Sequence, residues 1–581
     1  MASVLIPVSL LLGALLLVPQ ALGEFTAYQL GLYLIYGIAA QGIGFLWGKT
    51  GILPLGQALF FGVAAYATGM ALRDGGGLVL HLGLAAVVLA AIALAAFGLA
   101  ALIFRGRADS GPYFSLITLA LVMIAEQVAG TTTSLTGGFN GFSGYDSLAG
   151  LDPFGGFYYV IVAATAAVTL LLLTLNRLPA NLIARAVLDN EPRLQLLGYP
   201  THAIKGLAFT VSALLAALAG GLFASHQGIV TPDATGFALS AQLVILTAVG
   251  GRFHVLGPLV GAVAIGWASD SLRDSFPYWE LLLACLFILV VLKAPGGLAE
   301  LVERGWRRII PARPAVLPPA TEAPAPRAPQ DPGALAFEDV RLQIGVVRIL
   351  NGVTFETPAA GIVSVIGPNG AGKTSALNTI TGTLRTTGGA IRLGTQRIDN
   401  RPPHKALASG IGRKLQVPSV FFSMSVAENL TIAMMAGRAR WSDVLCRSPF
   451  GWRSGGLTRV LEHAAVPLAA ELSRPAGTLP QGHRQFLEFA MTAAAEPPVL
   501  LLDEPCAGLS PEETALMTDL VRAYQAATGA LVIMIEHDMS IVEAISDRVL
   551  VLHQGQVLAF DSYAAVSADP AVQAVYAGGT K

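Results

Sequence analysis

The sequence predicts a multidomain protein, with a polytopic α-helical membrane domain followed by a soluble α/β domain. Apolar runs of about 20 residues, the length that crosses a bilayer, recur through the first 300 residues. Those 300 residues carry only 24 of the 73 charged side chains in the chain. Hydrophobic residues make up 54% and charged residues 13%, which excludes a disordered protein and an enzyme that is soluble throughout.

The apolar runs of the first half predict eight to ten membrane crossings. Their approximate ranges are 3–22, 28–47, 52–72, 78–104, 113–131, 156–175, 203–225, 237–268 and 277–297. The start Met1-Ala-Ser lacks the positive charge of a signal peptide, which favours a retained first helix. Four arginines follow the last span and mark the cytoplasmic side; they are Arg304, Arg307, Arg308 and Arg313.

Composition also sets the predicted domain boundaries. We expect a membrane domain over 1–305, a Pro/Ala-rich cytoplasmic linker over 306–334 and a soluble domain over 335–581. Cys285, Cys446 and Cys506 are too few and too scattered for a disulfide framework or a cysteine metal site. The net charge of −1 gives no electrostatic reason to expect nucleic-acid binding.

The strongest motif of the soluble half is a phosphate-binding loop. Residues 367–374 fit G-x-x-x-x-G-K-[ST], and they lie between an apolar run that ends at Ile366 and a predicted helix. The glycines let backbone N–H groups point at phosphate oxygens, and the helix N-terminus adds positive potential. The predicted ATP-binding residues are Gly367, Pro368, Asn369, Gly370, Ala371, Gly372, Lys373, Thr374 and Ser375. Lys373 would neutralise the β- and γ-phosphates, and Thr374 would bind Mg²⁺.

A second motif ends in two adjacent carboxylates. The apolar run from Val499 leads directly into Asp503 and Glu504, about 130 residues after the phosphate-binding loop. An aspartate at such a strand end can hold Mg²⁺, and the adjacent glutamate can polarise water for attack on the γ-phosphate. Together the two motifs predict an α/β P-loop NTPase.

On these motifs, residues 335–581 resemble the nucleotide-binding domain of ABC transporters, ATP hydrolases coupled to transmembrane transport. The resemblance implies that Gln416 contacts Mg²⁺ and the attacking water. It also implies that His537, in the run Ile-Glu-His-Asp, contacts the γ-phosphate. The predicted catalytic residues are Glu504, His537 and Gln416, and the predicted metal ligands are Thr374, Gln416 and Asp503.

Two features depart from that family. Its signature loop is usually Leu-Ser-Gly-Gly-Gln, whereas residues 479–483 here read Leu-Pro-Gln-Gly-His. Pro480 has neither a hydroxyl nor a backbone N–H to offer a phosphate. The aromatic residue that stacks on adenine is missing as well, because the apolar side chains among residues 343–347 are all aliphatic.

The membrane half resembles a permease subunit of the branched-chain amino acid and urea importer family. The similarity lies in the segments Gly51–Gln57, Tyr113–Thr118 and Thr136–Gly141. Glycines this dense at membrane depth suggest close helix packing or a broken helix that lines a cavity. In the ATPase half, the segments Gly410–Pro418 and Val551–Leu558 are more similar to the urea type than to the amino acid type.

The polar interval from Arg185 to Tyr199 separates two spans. The resemblance implies that it is a coupling helix, and we expect residues 188–197 to dock on an ATPase domain near its glutamine loop. Pro192 could open that helix or break it. A solvated loop is the alternative.

The sequence as a whole predicts a fused permease and ATPase subunit of an ABC importer for a small polar solute. The implied location is the bacterial cytoplasmic membrane, with the ATPase domain inside. The implied partners are a second permease subunit, a second ABC ATPase subunit, a periplasmic substrate-binding protein and membrane lipid; a homodimer of this chain is the other arrangement. Alternatives of other classes are an ABC exporter, a non-transport membrane ATPase or sensor, and a channel with a regulatory ATPase.

Overall fold

The computed structural model describes residues 2–104, 111–273, 276, 278–294, 296–309, 317–318, 333–438, 452–463 and 467–577. It divides into two compact units. The membrane unit comprises Met1–Leu188 with His202–Ala312, and the soluble unit comprises Asp189–Thr201 with Arg313–Lys581. Residues 310–316 and 319–332 of the predicted linker lie outside the described ranges.

The membrane unit is helical. Its principal helices are Ala2–Leu22, Glu24–Thr50, Gln57–Arg73, Leu78–Phe104, Gly111–Thr131, Gly156–Leu175, Thr201–Gln227, Phe237–Gly250, Gly257–Arg273, Trp279–Lys293 and Gly297–Ile309. The helix Pro179–Leu196 begins in this unit and continues past Leu188 into residues of the soluble unit. Among the described residues, five helices are long and apolar enough to cross a membrane. They lie within Glu24–Thr50, Leu78–Phe104, Pro112–Thr131, Gly156–Leu175 and Thr201–Gln227.

The apolar stretch over 237–268 is two helices rather than one span. The first helix ends at Gly250, and Gly251 follows with φ 115°, a conformation that favours glycine. A Cβ atom at Gly250 would lie 2.0 Å from the carbonyl oxygen of Gly257. The glycines therefore let the chain turn sharply and pack the two helices against each other. Hydropathy alone did not reveal this break.

A two-stranded antiparallel pair joins two loops of the membrane unit. Strand β1, Phe142–Ser143, pairs with β2, Ile229–Val230. Several helices contribute to the apolar core of the unit. In Glu24–Thr50 the buried core residues include Leu34, Ile38 and Leu46.

The soluble unit contains two sheets. Its strands are β3 Leu335–Ile344, β4 Val347–Glu356, β5 Gly361–Ile366, β6 Gly388–Leu393, β7 Gln396–Arg397, β8 Ile411–Lys414, β9 Val499–Asp503, β10 Leu531–Ile535, β11 Arg548–His553 and β12 Gln556–Asp561. The six-stranded sheet has the order β12-β11-β5-β10-β9-β8, and the antiparallel four-stranded sheet has the order β4-β3-β6-β7. The principal helices are Lys373–Ile380, Val426–Met435, Gly455–Glu462, Gln481–Ala494, Pro511–Thr528, Met539–Ile545, Tyr563–Ala568 and Pro570–Ala577.

The central strands β5, β10 and β9 are apolar because the sheet buries them. Every residue of Val499–Asp503 and Leu531–Ile535 is buried. Continuous apolar runs of this kind are typical of parallel strands covered on both faces. The parallel arrangement brings the carboxyl ends of β5, β10, β9 and β8 to one edge of the sheet.

Close packing in the membrane unit generates a stability prediction. A Cβ atom at Gly220 would lie 1.9 Å from the carbonyl oxygen of Phe61, so Gly220→Ala must push the two helices apart. Overpacking of this kind costs about 1–3 kcal/mol. We expect a lower thermal unfolding midpoint for Gly220→Ala in detergent. Gly98→Ala is the matched control, because no atom lies within 4 Å of the added carbon; an equal midpoint for both variants would contradict the packing.

Candidate functional site: the nucleotide site and the docking segment

The predicted nucleotide-site residues follow four neighbouring parallel strands. The phosphate-binding loop begins directly after β5, and His537 follows β10 by two residues. Asp503 is the last residue of β9, and Gln416 follows β8 by two residues. Because parallel strands end at the same edge, the fold gathers all four segments at one end of the sheet, where α/β proteins bind their ligands.

The phosphate-binding loop has the backbone that its glycines predict. Gly367, Gly370 and Gly372 have φ of 148°, 81° and 98°. A Cβ atom at Gly367 would lie 2.1 Å from the carbonyl oxygen of Leu552, so only glycine fits there. The helix Lys373–Ile380 begins directly after Gly372 and directs its N-terminus into the loop. The loop can therefore present backbone N–H groups to an anion.

The ammonium group of Lys373 lies inside this loop. Its Nζ donates to the carbonyl oxygens of Gly367, at 2.7 Å, and Pro368, at 3.1 Å. Burial lowers the pKa of Lys373, while the carboxylates of Glu504 and Asp503 act to raise it. A cation held this close to the loop is placed to neutralise phosphate oxygens.

Asp503 is almost completely buried and is held by a buried arginine. Its Oδ2 accepts from Nη2 of Arg413 at 3.3 Å, and the two side chains are 1% and 2% exposed. Burial raises the pKa of Asp503, and Arg413 opposes that rise. The second oxygen, Oδ1, is buried with no hydrogen-bond partner among the described residues. An unsatisfied carboxylate oxygen at this position fits a ligand for Mg²⁺, which prefers oxygen donors.

Glu504 and His537 are in direct contact. Nε2 of His537 lies 2.8 Å from Oε1 of Glu504, and the backbone N–H of Glu504 donates to the carbonyl oxygen of Ile535. Glu504 has φ 46°, a left-handed conformation that is uncommon for a residue with a side chain. Two neighbouring strand ends thus hold this carboxylate in a strained position, and such strain is typical of functional sites. The motifs predict a separate role for each of the two residues but do not predict their contact.

The altered signature loop starts a helix without a side-chain cap. Pro480 is the N-cap residue of Gln481–Ala494, and it has no side-chain acceptor with which to cap the first N–H groups of that helix. The imidazole of His483 points toward Glu471, with Nδ1 3.1 Å from Oε2. The second departure from the family, the missing aromatic residue, lies at the hairpin turn after Ile344. The aliphatic side chains of this turn are exposed, and Val346 is 94% exposed.

The polar interval between two membrane helices belongs to the soluble unit. We call Asp189–Thr201 the docking segment, because it clusters with the ATPase residues. The helix Pro179–Leu196 is broken at Asn190, which has φ −154° and ψ 83°. The Oδ1 of Asn190 accepts from the backbone N–H of Arg193 at 3.1 Å, so Asn190 caps the second part of the helix. Pro192 therefore lies in the first turn and opens this part rather than breaking it.

The docking segment is held by several hydrogen bonds to the residues that follow Gln416. The carboxylate of Asp189 accepts from the backbone N–H of Phe422, at 3.1 Å, and from the N–H and hydroxyl of Ser423, both at 2.7 Å. Nδ2 of Asn190 donates to Oγ of Ser419 at 2.9 Å. The Tyr199 hydroxyl donates to the carbonyl oxygen of Ile432 at 2.8 Å.

Comparison with known proteins gives two family matches in the same chain. Residues 25–292 match the branched-chain amino acid transport system permease component, and residues 350–507 match the ABC transporter family. The chain is 35% identical over 250 residues to the high-affinity branched-chain amino acid transport ATP-binding protein BraF of Pseudomonas aeruginosa, covering 97% of that protein and 42% of this chain. This chain belongs to the ABC transporter family.

Other known proteins match an equal share of this ABC transporter. The high-affinity branched-chain amino acid transport ATP-binding protein LivG of Escherichia coli K12 is 33% identical over 250 residues, again with 97% of that protein and 42% of this chain covered. A solved structure of the ADP conformation of an ATP-binding cassette of an ABC transporter shares 27% identity. That match covers 42% of this chain and 99% of the other, with a TM-score of 0.37. The fusion of permease and ATPase predicted from the sequence is confirmed, as is its class as an ATP-hydrolysing transporter.

The sequence did not identify the buried charges beneath the nucleotide site of this ABC transporter. Arg413, Lys414, Glu488 and Arg193 are each no more than 3% exposed. The sequence contains only a weak signal of these buried charges. Arg413 and Lys414 follow one another at a strand end, and Glu488 interrupts an apolar helical run. A charge inside an apolar run is worth marking, because charged side chains are rarely buried without a partner.

The contacts of Lys373 predict the effect of its removal on nucleotide binding. Lys373→Ala removes the cation from the loop, and a hydrogen bond to a charged group is worth about 1.5–3 kcal/mol. We therefore expect ATP to bind about ten- to a hundredfold more weakly, as measured by calorimetry on the full-length transporter. Lys405→Ala, at an exposed lysine of the same unit, is the control. Equal affinity of both variants would contradict the assigned loop.

The docking segment predicts a defect in coupling. Asp189→Lys replaces an acceptor of three hydrogen bonds by a cation that cannot accept any, so the segment should leave the Phe422–Ser423 backbone. Transport should fall several-fold more than basal ATP hydrolysis, with both measured in the same proteoliposomes. The charge reversal Glu191→Lys, whose carboxylate accepts from Thr201 within the segment, should act in the same direction. Asp519→Lys, on an exposed helix face, is the control. Transport at the wild-type rate by both docking-segment variants would rule out the docking.

Proposed function

We propose that this chain is the fused permease and ATPase subunit of an importer that uses ATP hydrolysis to take up a small polar solute. The solute class is a branched-chain amino acid, urea or a related amide, delivered by a periplasmic binding protein. The chain would lie in the bacterial cytoplasmic membrane with its ATPase domain in the cytoplasm. Support comes from the permease match over 25–292 and from relatives named as branched-chain amino acid transport proteins.

The single observation that carries the proposal is the docking segment. It lies between two helices of the membrane unit, Gly156–Leu175 and Thr201–Gln227, and yet it packs with the ATPase residues. The segment is thus continuous in sequence with both helices while its own contacts are with residues that follow Gln416. A sensor or an independent ATPase has no need of such a joint. Only 25 residues separate the two helices, which is short for the long cytoplasmic helices of an exporter.

The nucleotide site suggests a role for each of its residues. Bound Mg²⁺–ATP supplies the γ-phosphoryl group whose hydrolysis drives transport. Lys373 and the loop N–H groups would hold the phosphates, while Thr374, Asp503 and Gln416 would hold the metal ion. Glu504 would accept the proton of the attacking water, and His537, whose Nε2 lies 2.8 Å from Oε1 of Glu504, would orient that carboxylate.

The transporter needs partners, because ABC nucleotide sites form between two ATPase domains. This chain supplies one permease and one ATPase domain, so a second copy of each completes the transporter. The altered loop at Pro480 favours a different second ATPase subunit, since a homodimer would place the altered loop in both sites.

Binding-protein specificity tests the proposed function. We expect one ligand-loaded binding protein to stimulate ATP hydrolysis by the purified complex in nanodiscs, and the same protein without ligand not to do so. Branched-chain amino acids, urea and short amides are the ligands to compare. An export substrate that stimulates hydrolysis from the cytoplasmic side, with no response to any binding protein, would exclude the importer.

Removal of the catalytic carboxylate gives a sharper test of the nucleotide site. Glu504→Gln keeps the size of the side chain but cannot accept a proton, so ATP should bind normally while hydrolysis falls by about 10²–10⁴-fold. Measurements of ATP affinity and turnover on the same preparation separate the two effects. Glu512→Gln, at an exposed position of the next helix, is the control. Wild-type turnover by Glu504→Gln would overturn the assignment.

The signature loop predicts two unequal ATP sites. The site that receives Pro480 lacks a hydroxyl donor to the γ-phosphate, a loss of roughly 1.5–3 kcal/mol. Pro480→Ser combined with His483→Gln should therefore increase hydrolysis at that site, as measured by single-turnover kinetics on the purified complex. A complex with only one type of ATPase chain and rapid hydrolysis without this restoration would contradict the asymmetry.

A further inference from the structure

The docking segment contains a completely buried arginine. The side chain of Arg193 is 0% exposed, and its Nη1 donates to the carbonyl oxygen of Arg413 at 2.7 Å. Its Nη2 donates to the hydroxyl of Thr492 at 3.1 Å and to the carbonyl oxygen of Glu488 at 3.3 Å. Three hydrogen bonds from two nitrogens use the fixed fork of a guanidinium, which a lysine does not reproduce.

The carboxylate of Glu488 links this arginine to the predicted metal-binding glutamine. Oε1 of Glu488 lies 3.4 Å from Nη1 of Arg193 and also accepts from the backbone N–H of Leu415 at 3.0 Å. Leu415 directly precedes Gln416. One buried carboxylate oxygen therefore contacts both the docking segment and the backbone that carries Gln416.

A second connection runs to the predicted metal-binding aspartate. Arg193 donates to the carbonyl oxygen of Arg413, and the side chain of Arg413 donates to Oδ2 of Asp503. The same guanidinium donates to Oδ1 of Asn378 at 2.7 Å and to the hydroxyl of Thr381 at 3.1 Å. The end of β8 is thus held between the docking segment on one side and the nucleotide site on the other.

We propose that Arg193 is a positioning residue for ATP hydrolysis, which acts through Glu488 and the backbone of Arg413 to hold Gln416 and Asp503 in place. The inference rests on the proposed function, because it takes Gln416 and Asp503 to be the residues that hold the metal ion. If Arg193 has this role, then ATP hydrolysis as well as transport depends on one side chain of the docking segment.

Lys414 is a second cationic partner of Glu488, so the loss of Arg193 does not leave this carboxylate unpaired. Nζ of Lys414 lies 3.6 Å from Oε2 of Glu488, and both side chains are 0% exposed. An unpaired buried carboxylate is strongly destabilising, whereas Glu488 keeps a cationic neighbour when Arg193 is removed. Burial lowers the pKa of Lys414, and the guanidinium of Arg193 lowers it further while Glu488 opposes both effects. Arg193 and Lys414 thus share the carboxylate of Glu488, so the contact between Arg193 and Glu488 can break while Glu488 stays paired.

Steady-state ATP hydrolysis by the assembled complex tests the role of Arg193. Arg193→Met keeps the length and apolar packing of the side chain and removes its donors. We expect kcat to fall about tenfold with KM for ATP within about twofold, because the phosphate-binding loop is untouched. Arg193→Lys, which keeps the charge and is the safer variant for folding, should restore part of kcat. Arg385→Met, the same substitution at an exposed arginine of the soluble unit, is the control.

A double substitution decides whether Arg193 acts through Gln416. In a Gln416→Ala background, Arg193→Met should lower kcat by a clearly smaller factor than in the wild type, since one of the two residues that it positions is already gone. Losses that multiply would show that the two residues act independently and would overturn the proposal. Unchanged kcat in both Arg193→Met and Arg193→Lys would overturn it as well, and so would equal effects on kcat and KM.

Solute uptake in the same proteoliposomes separates this inference from the proposed function. If the wild-type complex hydrolyses ATP but accumulates no solute with any binding protein, the proposed importer function is wrong. If uptake is present and neither Arg193 variant changes kcat, the importer stands and the positioning role is wrong.

Discussion

Four neighbouring strands of the soluble unit run parallel, and their carboxyl ends meet at one edge of the sheet. This register brings the phosphate-binding loop after β5 and the His537 region after β10 beside Asp503 and Glu504 at the end of β9. Residues up to about 170 positions apart in sequence thereby form one site. The contact between Glu504 and His537 illustrates the dependence, since it joins two adjacent strand ends and exists only in this register.

The same edge of the sheet also receives the docking segment. Strand β8 is the outermost strand there, so its end is accessible to the docking segment while its side chains reach Asp503. Arg193 occupies the gap between them as a fully buried cation. Buried charges are costly unless they are well paired, and each of these has a partner of opposite charge within 4 Å. These pairings offset part of the cost of removing the charges from water.

Much of this arrangement could be predicted from the sequence, because motif residues act through local backbone geometry. The glycines around Lys373 predicted the loop, and the apolar run before Asp503 predicted a buried strand. Contacts between distant segments could not be predicted in the same way. Nothing local to Glu488 indicates that it meets Arg193, which lies 295 residues away, and hydropathy did not reveal the glycine-dependent break after Gly250. Long-range pairing of charges and close approach of backbones depend on the folded structure.

The direction of solute movement tests the central claim most directly. The complete transporter is reconstituted so that its ATPase domains face the interior of vesicles filled with Mg²⁺–ATP, and a ligand-loaded binding protein is added outside. Accumulation of the radiolabelled solute inside, in proportion to ATP hydrolysed, is the result that an ATP-driven importer predicts. Hydrolysis without inward movement, or release of solute preloaded in the vesicles, would contradict it.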